Sequence, residues 1–280
     1  MTSTTLQHNR KVSPFASMYK WTLKKNIVLT IVYTVILFTS FSLPMIWFTT
    51  MSILDHSTED ISSLAYYAFP VASGVVAIFS IVFGTVIFNF IHNKRSVDLY
   101  NAFPLSRKDM FFSKYLAGLT LATLPILIAT PAGICAATLM SPEYLGVLFT
   151  SMLITMLVAV TTYSFTVFMS ACVGKTSDAV VLTIGLGGAF PFFVLVLNFM
   201  IQMLTPGINS IEATPKLIYA LLSPEIITIF TTYIFDFENN GFTSELVVFL
   251  LYFVLFTSVS VFAGFSVYGH IYYRRVPDFV

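Results

Sequence analysis

Arg95-Ser-Val-Asp-Leu-Tyr-Asn-Ala-Phe-Pro-Leu-Ser-Arg-Lys-Asp-Met-Phe-Phe-Ser-Lys-Tyr-Leu-Ala-Gly-Leu119 is a short charged island between two long apolar runs. Its residues predict two helices. The first is brief, over Asp98 to Phe103, and carries Leu99, Tyr100 and Phe103 as its apolar and aromatic residues. Pro104 ends it, because proline disfavours the α region in the residue before it and donates no backbone N–H. Ser106 is placed to cap the second helix, with Asp109 three residues on as its partner in a capping-box-like pair. That second helix runs directly into the apolar residues after Lys114. A surface helix wedged between two apolar runs, flanked by Lys and Arg, is suited to touching something outside the membrane.

The apolar runs set the class. Hydrophobic residues make up 57% of the 280 and charged residues only 10%, against roughly 25% charged in a soluble domain. Such a chain cannot cover a water-facing surface. A spanning helix needs about 20 predominantly apolar residues, and six runs qualify: 26–51, 64–91, 114–140, 144–171, 179–205 and 246–270. The expected fold is therefore an all-α integral membrane protein, a single domain over 1–280, with both termini on one side.

Charge assigns the side. Arg10, Lys11, Lys20, Lys24 and Lys25 precede the first run; Lys94, Arg95, Arg107, Lys108 and Lys114 lie between the second and third. Lys175 separates the fourth from the fifth, and Arg274 and Arg275 close the chain. Of the 14 Lys and Arg, only Lys216 falls on the other side. The positive-inside rule then makes both termini cytoplasmic.

The ends of the chain leave choices open. Residues 1–25 read as a polar, basic segment in which Phe15, Met18, Tyr19 and Trp21 lie among lysines, as in a helix resting in the headgroup layer; a disordered tail also fits. The run after it is too long for a signal-peptide core and lacks a small-residue cleavage site. Residues 206–245 hold two apolar pieces divided at Pro224, which fit a re-entrant hairpin before the last span or an external loop with one surface helix. Irregular backbone at membrane depth is tolerated only where protein or water satisfies it.

Within the runs, Pro44, Pro70, Pro125, Pro131 and Pro191 predict kinks. Gly185, Gly187 and Gly188 before Pro191 make either a hinge or a tight packing face in the fifth span. Cys135 and Cys172 show neither pairing nor metal-ligand spacing and read as packing residues. Asn89 and Asn198, near span ends, suit interhelical hydrogen bonds or, less simply, ion ligation.

Chemistry is sparse. No acidic residue lies inside a span, and no Lys or Arg lies near a span centre, whereas ion-coupled transporters carry their coupling on such groups. Zinc-protease and serine-hydrolase motifs are absent. Gly174-Lys175-Thr176 imitates the end of a phosphate-binding loop, but Met169 stands where its first glycine is required, and a span rather than a strand precedes it. Lys175 instead fits a tight turn. No catalytic residue, metal or directly bound cofactor is expected, and the chain is not an enzyme by itself.

Asp98-Leu-Tyr-Asn-Ala-Phe-Pro-Leu-Ser-Arg107, with Ser113-Lys-Tyr-Leu-Ala-Gly118, resembles the coupling-helix region of bacterial type-2 ABC exporter permeases. The specific part of the likeness is confined to about 95–119. The short basic end Tyr272-Tyr-Arg-Arg-Val-Pro-Asp278 is similar as well, although it breaks off early. The resemblance implies six spans, a coupling helix within 92–113, a re-entrant pair before span six, and a second permease subunit, identical or not. It further implies a separate ABC ATPase carrying ATP and Mg, contacted by Asp98, Leu99, Tyr100, Phe103, Pro104, Leu105 and Arg107. Leu99, Tyr100 and Phe103 would be the anchors and Asp98 and Arg107 the orienting charges. It points to export of amphipathic or hydrophobic cargo, peptides or toxins foremost, across a bacterial plasma membrane, with no nucleic-acid partner. The same residues also fit an interfacial helix resting on lipid, or a non-transporting sensor or assembly protein that docks another partner.

Overall fold

The computed structural model describes residues 13–54, 61–93, 106–140, 142, 145–204, 235–236, 241–242 and 246–275. These form eight α-helices: α1 (Pro14–Lys25), α2 (Ile27–Leu37), α3 (Leu43–Leu54), α4 (Ile61–Phe88), α5 (Arg107–Met140), α6 (Leu145–Cys172), α7 (Thr176–Leu204) and α8 (Leu246–Arg275). A π-helical turn, Phe38–Ser42, joins α2 to α3, and a 3-10 turn, Asn89–Ile91, finishes α4. Two residue pairs, Phe235–Asp236 and Gly241–Phe242, make a minimal antiparallel bridge.

Five of the described segments are long and apolar enough to cross a membrane: Ile27–Leu54, Val71–Ile91, Arg107–Leu139, Leu148–Cys172 and Leu250–Gly269. The chain is a multi-pass, helical membrane protein. In α7 the described apolar stretch, Thr176–Ala189, is shorter. The proposed re-entrant hairpin lies outside the described residues, apart from the small bridge.

α6 is the most enclosed of the five. It packs against α4 on one side and α8 on another, with α5 and α7 alongside. Small and hydroxylated residues make this possible. Thr155, Thr161, Ser164 and Thr166 each donate their hydroxyl to the carbonyl four residues back, so their polar atoms are satisfied inside the helix where no water is at hand. Close approach follows, since helices without a hydrophobic drive between them associate through packing of small residues. A Cβ built on Gly84 of α4 would lie 2.7 Å from Thr166 Cγ2, and one on Gly264 of α8 would lie 3.4 Å from Phe168 Cα.

The first span has a different device. Pro44 and Pro131 each lack the N–H that a helix interior uses. One turn before Pro44 the helix widens into the π turn. Beside Pro131, the hydroxyl of Ser42 donates to Ala129 O and accepts from Gly133 N–H at 3.3 Å. Ala129 and Gly133 are the i and i+4 partners of one rung in α5, so Ser42 bridges that rung from a neighbouring helix. Inserted side chains of this kind are a recognised cause of helix kinks. Gly133 leaves the room, because a Cβ there would stand 3.0 Å from Ser42 Cα. Polar contacts in membrane proteins contribute about 0.6 kcal/mol on average and up to about 1.7. Ser42→Ala, which removes two, is expected near the upper figure. A thermal melt in detergent checks this, with faster hydrogen exchange at the Gly133 amide as the local signature.

Both cysteines are exposed on the helix bundle. The expectation that they pack inside is corrected: an apolar residue on a membrane helix need not face protein, because lipid is as good a neighbour for it.

Candidate functional site at the junction of the second and third spans

α5 begins where the sequence places it. Ser106 Oγ lies 2.6 Å from Asp109 Oδ2, and Asp109 N–H donates to Ser106 Oγ at 3.1 Å. The pair satisfies a first-turn amide and sets a carboxylate against the positive end of the helix dipole. The apolar run at 114 is thus entered two turns after the helix has begun.

From that start the side chains fan into the bundle. Phe111 is fully buried, with ring centroids of Phe88 at 5.5 Å, Phe265 at 5.6 Å and Tyr268 at 5.3 Å. It therefore ties α5 to the end of α4 and to α8. Tyr115, one turn on, shares a hydrogen bond with Ser164 of α6 at 2.7 Å. Tyr163 donates its hydroxyl to Tyr115 O at 3.2 Å. Gly118 completes the contact, since a Cβ there would fall 2.1 Å from Tyr163 Oη and 2.7 Å from Ile87 Cδ1. Tyr115 and Gly118 of the Ser113–Gly118 motif accordingly have a packing explanation.

Lys114 lies on the helix the sequence predicts, but its burial was not read there: it is only 2% exposed. Its ammonium sits 3.3 Å from the centroid of the Phe90 ring, where the negative face of the ring attracts it. The helix start at Arg107 brings position 114 around to the face that meets the 3-10 turn.

α1 was readable only as an interfacial helix or a loose tail; over 14–25 it is a helix docked on α5. Ser13 caps it, accepting from Ala16 N–H at 3.3 Å, and Pro14 follows at its first position. Met18 and Thr22 are buried, and Tyr19 donates to Thr120 Oγ1 at 3.3 Å. Its last turn carries Lys24 and Lys25, as the negative end of the dipole favours. Asn89 accepts a hydrogen bond from Thr176 Oγ1 at 2.6 Å, which joins α4 to the start of α7. Of its two sequence readings, interhelical bonding is the one found. Val173, Gly174 and Lys175 make the tight turn expected between α6 and α7, with Lys175 exposed.

These elements gather at one end of the bundle, which also holds Lys25, Arg107, Lys108 and Lys175. Between them lies a cavity of about 120 Å³, lined by Trp21, Lys25 and Asn26 on one side and by Asn89, Phe90, Asn93 and Lys114 on the other.

Of the residues assigned to an ATPase contact, Asp98, Leu99, Tyr100, Phe103, Pro104 and Leu105 lie outside the described residues. Arg107 is the first residue of α5 and is exposed. Gly185, Gly187, Gly188 and Pro191 all fall within the continuous helix α7. Among the described residues nothing lies within 4 Å of a Cβ built at Gly185 or Gly188, so a tight packing face is not formed at those two positions. No protein-family model matches this chain, and no curated protein matches it.

Proposed function

We propose that the chain is the membrane-spanning subunit of an ATP-driven exporter of the type-2 ABC kind, and that a separate ATPase docks on residues 98–107. The observation that carries this reading is the way the segment 94–105 is anchored. Phe88 and Phe111, on its two flanks, meet ring to ring at 5.5 Å, and Phe111 also engages α8. A load applied to so short a segment passes to three helices together.

Further features support it. Asn93 and Ser106, on either side of that segment, stand at the basic end of the bundle, which the charge rule makes cytoplasmic. α7 starts at that end through the Thr176–Asn89 bond, and its 29 residues extend about 43 Å at 1.5 Å per residue. That exceeds the roughly 30 Å of a bilayer core, so α7 makes a sixth crossing and α8 returns the chain to the basic end. Both termini are then cytoplasmic, in a bacterial plasma membrane. In this reading two permease subunits, like or unlike, enclose a pathway for amphipathic or hydrophobic cargo, peptides foremost. ATP and Mg stay on the ATPase, whose closure pushes on Leu99, Tyr100 and Phe103 while Asp98, Pro104, Leu105 and Arg107 hold the register. Gly185, Gly187, Gly188 and Pro191 supply the bending point in α7.

The test is ATPase activity of any ABC subunit found encoded beside this chain, in nanodiscs, with and without the permease and with Tyr100→Ala plus Phe103→Ala. Interface anchors contribute about 2 kcal/mol or more each, so the double variant is expected to weaken association by well over tenfold and to abolish any change in ATPase rate. An ATPase that neither binds the wild-type chain nor responds to it sinks the exporter reading and favours a membrane sensor docking another partner.

A further inference from the structure

The cavity beside Lys114 is built differently from the rest of the bundle. Its floor is buried: Lys114, Phe90, Ile87, Thr22 and Asn26. Its mouth is formed by Trp21, Lys25, Asn89 and Asn93, all exposed. Among the described residues the lining thus carries two lysines and three side-chain amides, and no carboxylate. Lys25 is braced by Trp21, 5.2 Å from the ring centroid, and Lys114 by Phe90. Asn26 is fixed by its own bond to Thr22 O at 2.9 Å. With its oxygen occupied by Thr176, Asn89 has its Nδ2 donors left for the cavity.

Such a lining repels cations. It matches a compact tetrahedral anion, because lysine side chains and amide N–H groups are the donors that phosphate oxygens accept from. The volume is many times the 10–15 Å³ or so that one water needs. Val86, 45% exposed, and Trp21, 47% exposed, border the opening, so apolar surface lies directly beside the polar floor. Basic pockets between helices on the basic face of a membrane protein recognise headgroup phosphates.

We propose that this cavity binds a phosphate group, with Lys25 and Lys114 as the charge pair and Asn89 and Asn93 as neutral donors. The flanking apolar border favours a phosphodiester of an anionic lipid; free phosphate shares the chemistry. The proposal rests on the multi-pass membrane reading alone and does not need the exporter assignment.

The full-length chain, purified in detergent and offered phosphatidylglycerol or phosphatidylcholine, is examined by native mass spectrometry for retained lipid. The wild type is expected to retain phosphatidylglycerol preferentially. The variant Lys25→Met with Lys114→Met is expected to lose about tenfold or more of that retention. Because replacing a buried lysine can unfold the chain, Lys25→Met with Asn93→Leu is a second variant that leaves Lys114 in place, and a clear loss is expected there too. Lys24→Gln, a neighbouring charge outside the cavity, is expected to behave as wild type. Inorganic phosphate is then titrated in phosphatidylcholine nanodiscs while Tm is followed. A saturable rise in the wild type that both cavity variants lose assigns the site to soluble phosphate as well. Equal phosphatidylglycerol retention in the wild type and Lys25→Met with Asn93→Leu, together with no saturable phosphate response, overturns the proposal.

Discussion

Gly118→Ala is expected to lower the melting temperature of the detergent-purified protein sharply, although alanine is the better helix former by about 1 kcal/mol. Packing decides the sign. The added methyl would meet Tyr163 Oη at 2.1 Å and Tyr163 Cζ at 2.6 Å. Tyr163 cannot swing away, since it is fully buried and its hydroxyl is held by Tyr115 O. Overpacking costs about 1–3 kcal/mol, and displacing a buried hydroxyl from its partner adds a penalty of similar order. Together they outweigh the propensity gain. Gly74→Ala and Gly146→Ala are the controls: among the described residues nothing lies within 4 Å of a Cβ at either, so both are expected to be neutral or slightly stabilising. A second substitution, Tyr163→Leu, should recover part of the Gly118→Ala loss but destabilise the otherwise wild-type chain. Losses that simply add would show that the two residues do not touch.

Phe111→Ala is the other large effect. Removing a fully enclosed aromatic ring costs about 3–5 kcal/mol in compact proteins. In a membrane the packing share of that figure survives, because helices there are held by contact rather than by exclusion from water. A loss of about 3 kcal/mol is expected in denaturation by a harsher detergent. Phe111→Leu, which keeps most of the volume, should stay within about 1.5 kcal/mol. Phe265→Ala and Tyr268→Ala remove the same contact from the other side. Each should therefore be less harmful in the Phe111→Ala background than alone, as double-mutant cycles of touching residues show.

Much of this arrangement was legible because it rests on local chemistry. The helices follow from apolar run length, the start of α5 from Ser106 and Asp109, the turn at Gly174 and Lys175 from a charge between two apolar runs. What escaped depends on which faces meet. Nothing near Tyr19 announces Thr120 as its partner, about a hundred residues away in the chain. Lys114 was legible as part of the second helix but not as buried, because its burial depends on the Phe90 ring turning towards it. The π turn had one visible cause, Pro44, but its counterpart at Pro131 becomes meaningful only when Ser42 is seen between the two helices. Cys135 and Cys172 were misread for a general reason: in a membrane span, apolar character does not say whether a side chain faces protein or lipid. The contact proposed for 98–105 rests on a motif alone, and those residues lie outside the described ones.

The Ser42 bridge has a consequence for how the chain is made. The Ala129–Gly133 rung of α5 is bridged by a hydroxyl that was synthesised some ninety residues earlier. The first helix must therefore still be nearby when the third is released into the bilayer, or the Ser42 hydroxyl lacks its partners on α5. Assembly is thus ordered in time as well as in space. A chain lacking its first sixty residues would lose the Ser42 bridge together with the packing of α1, α2 and α3 on α5.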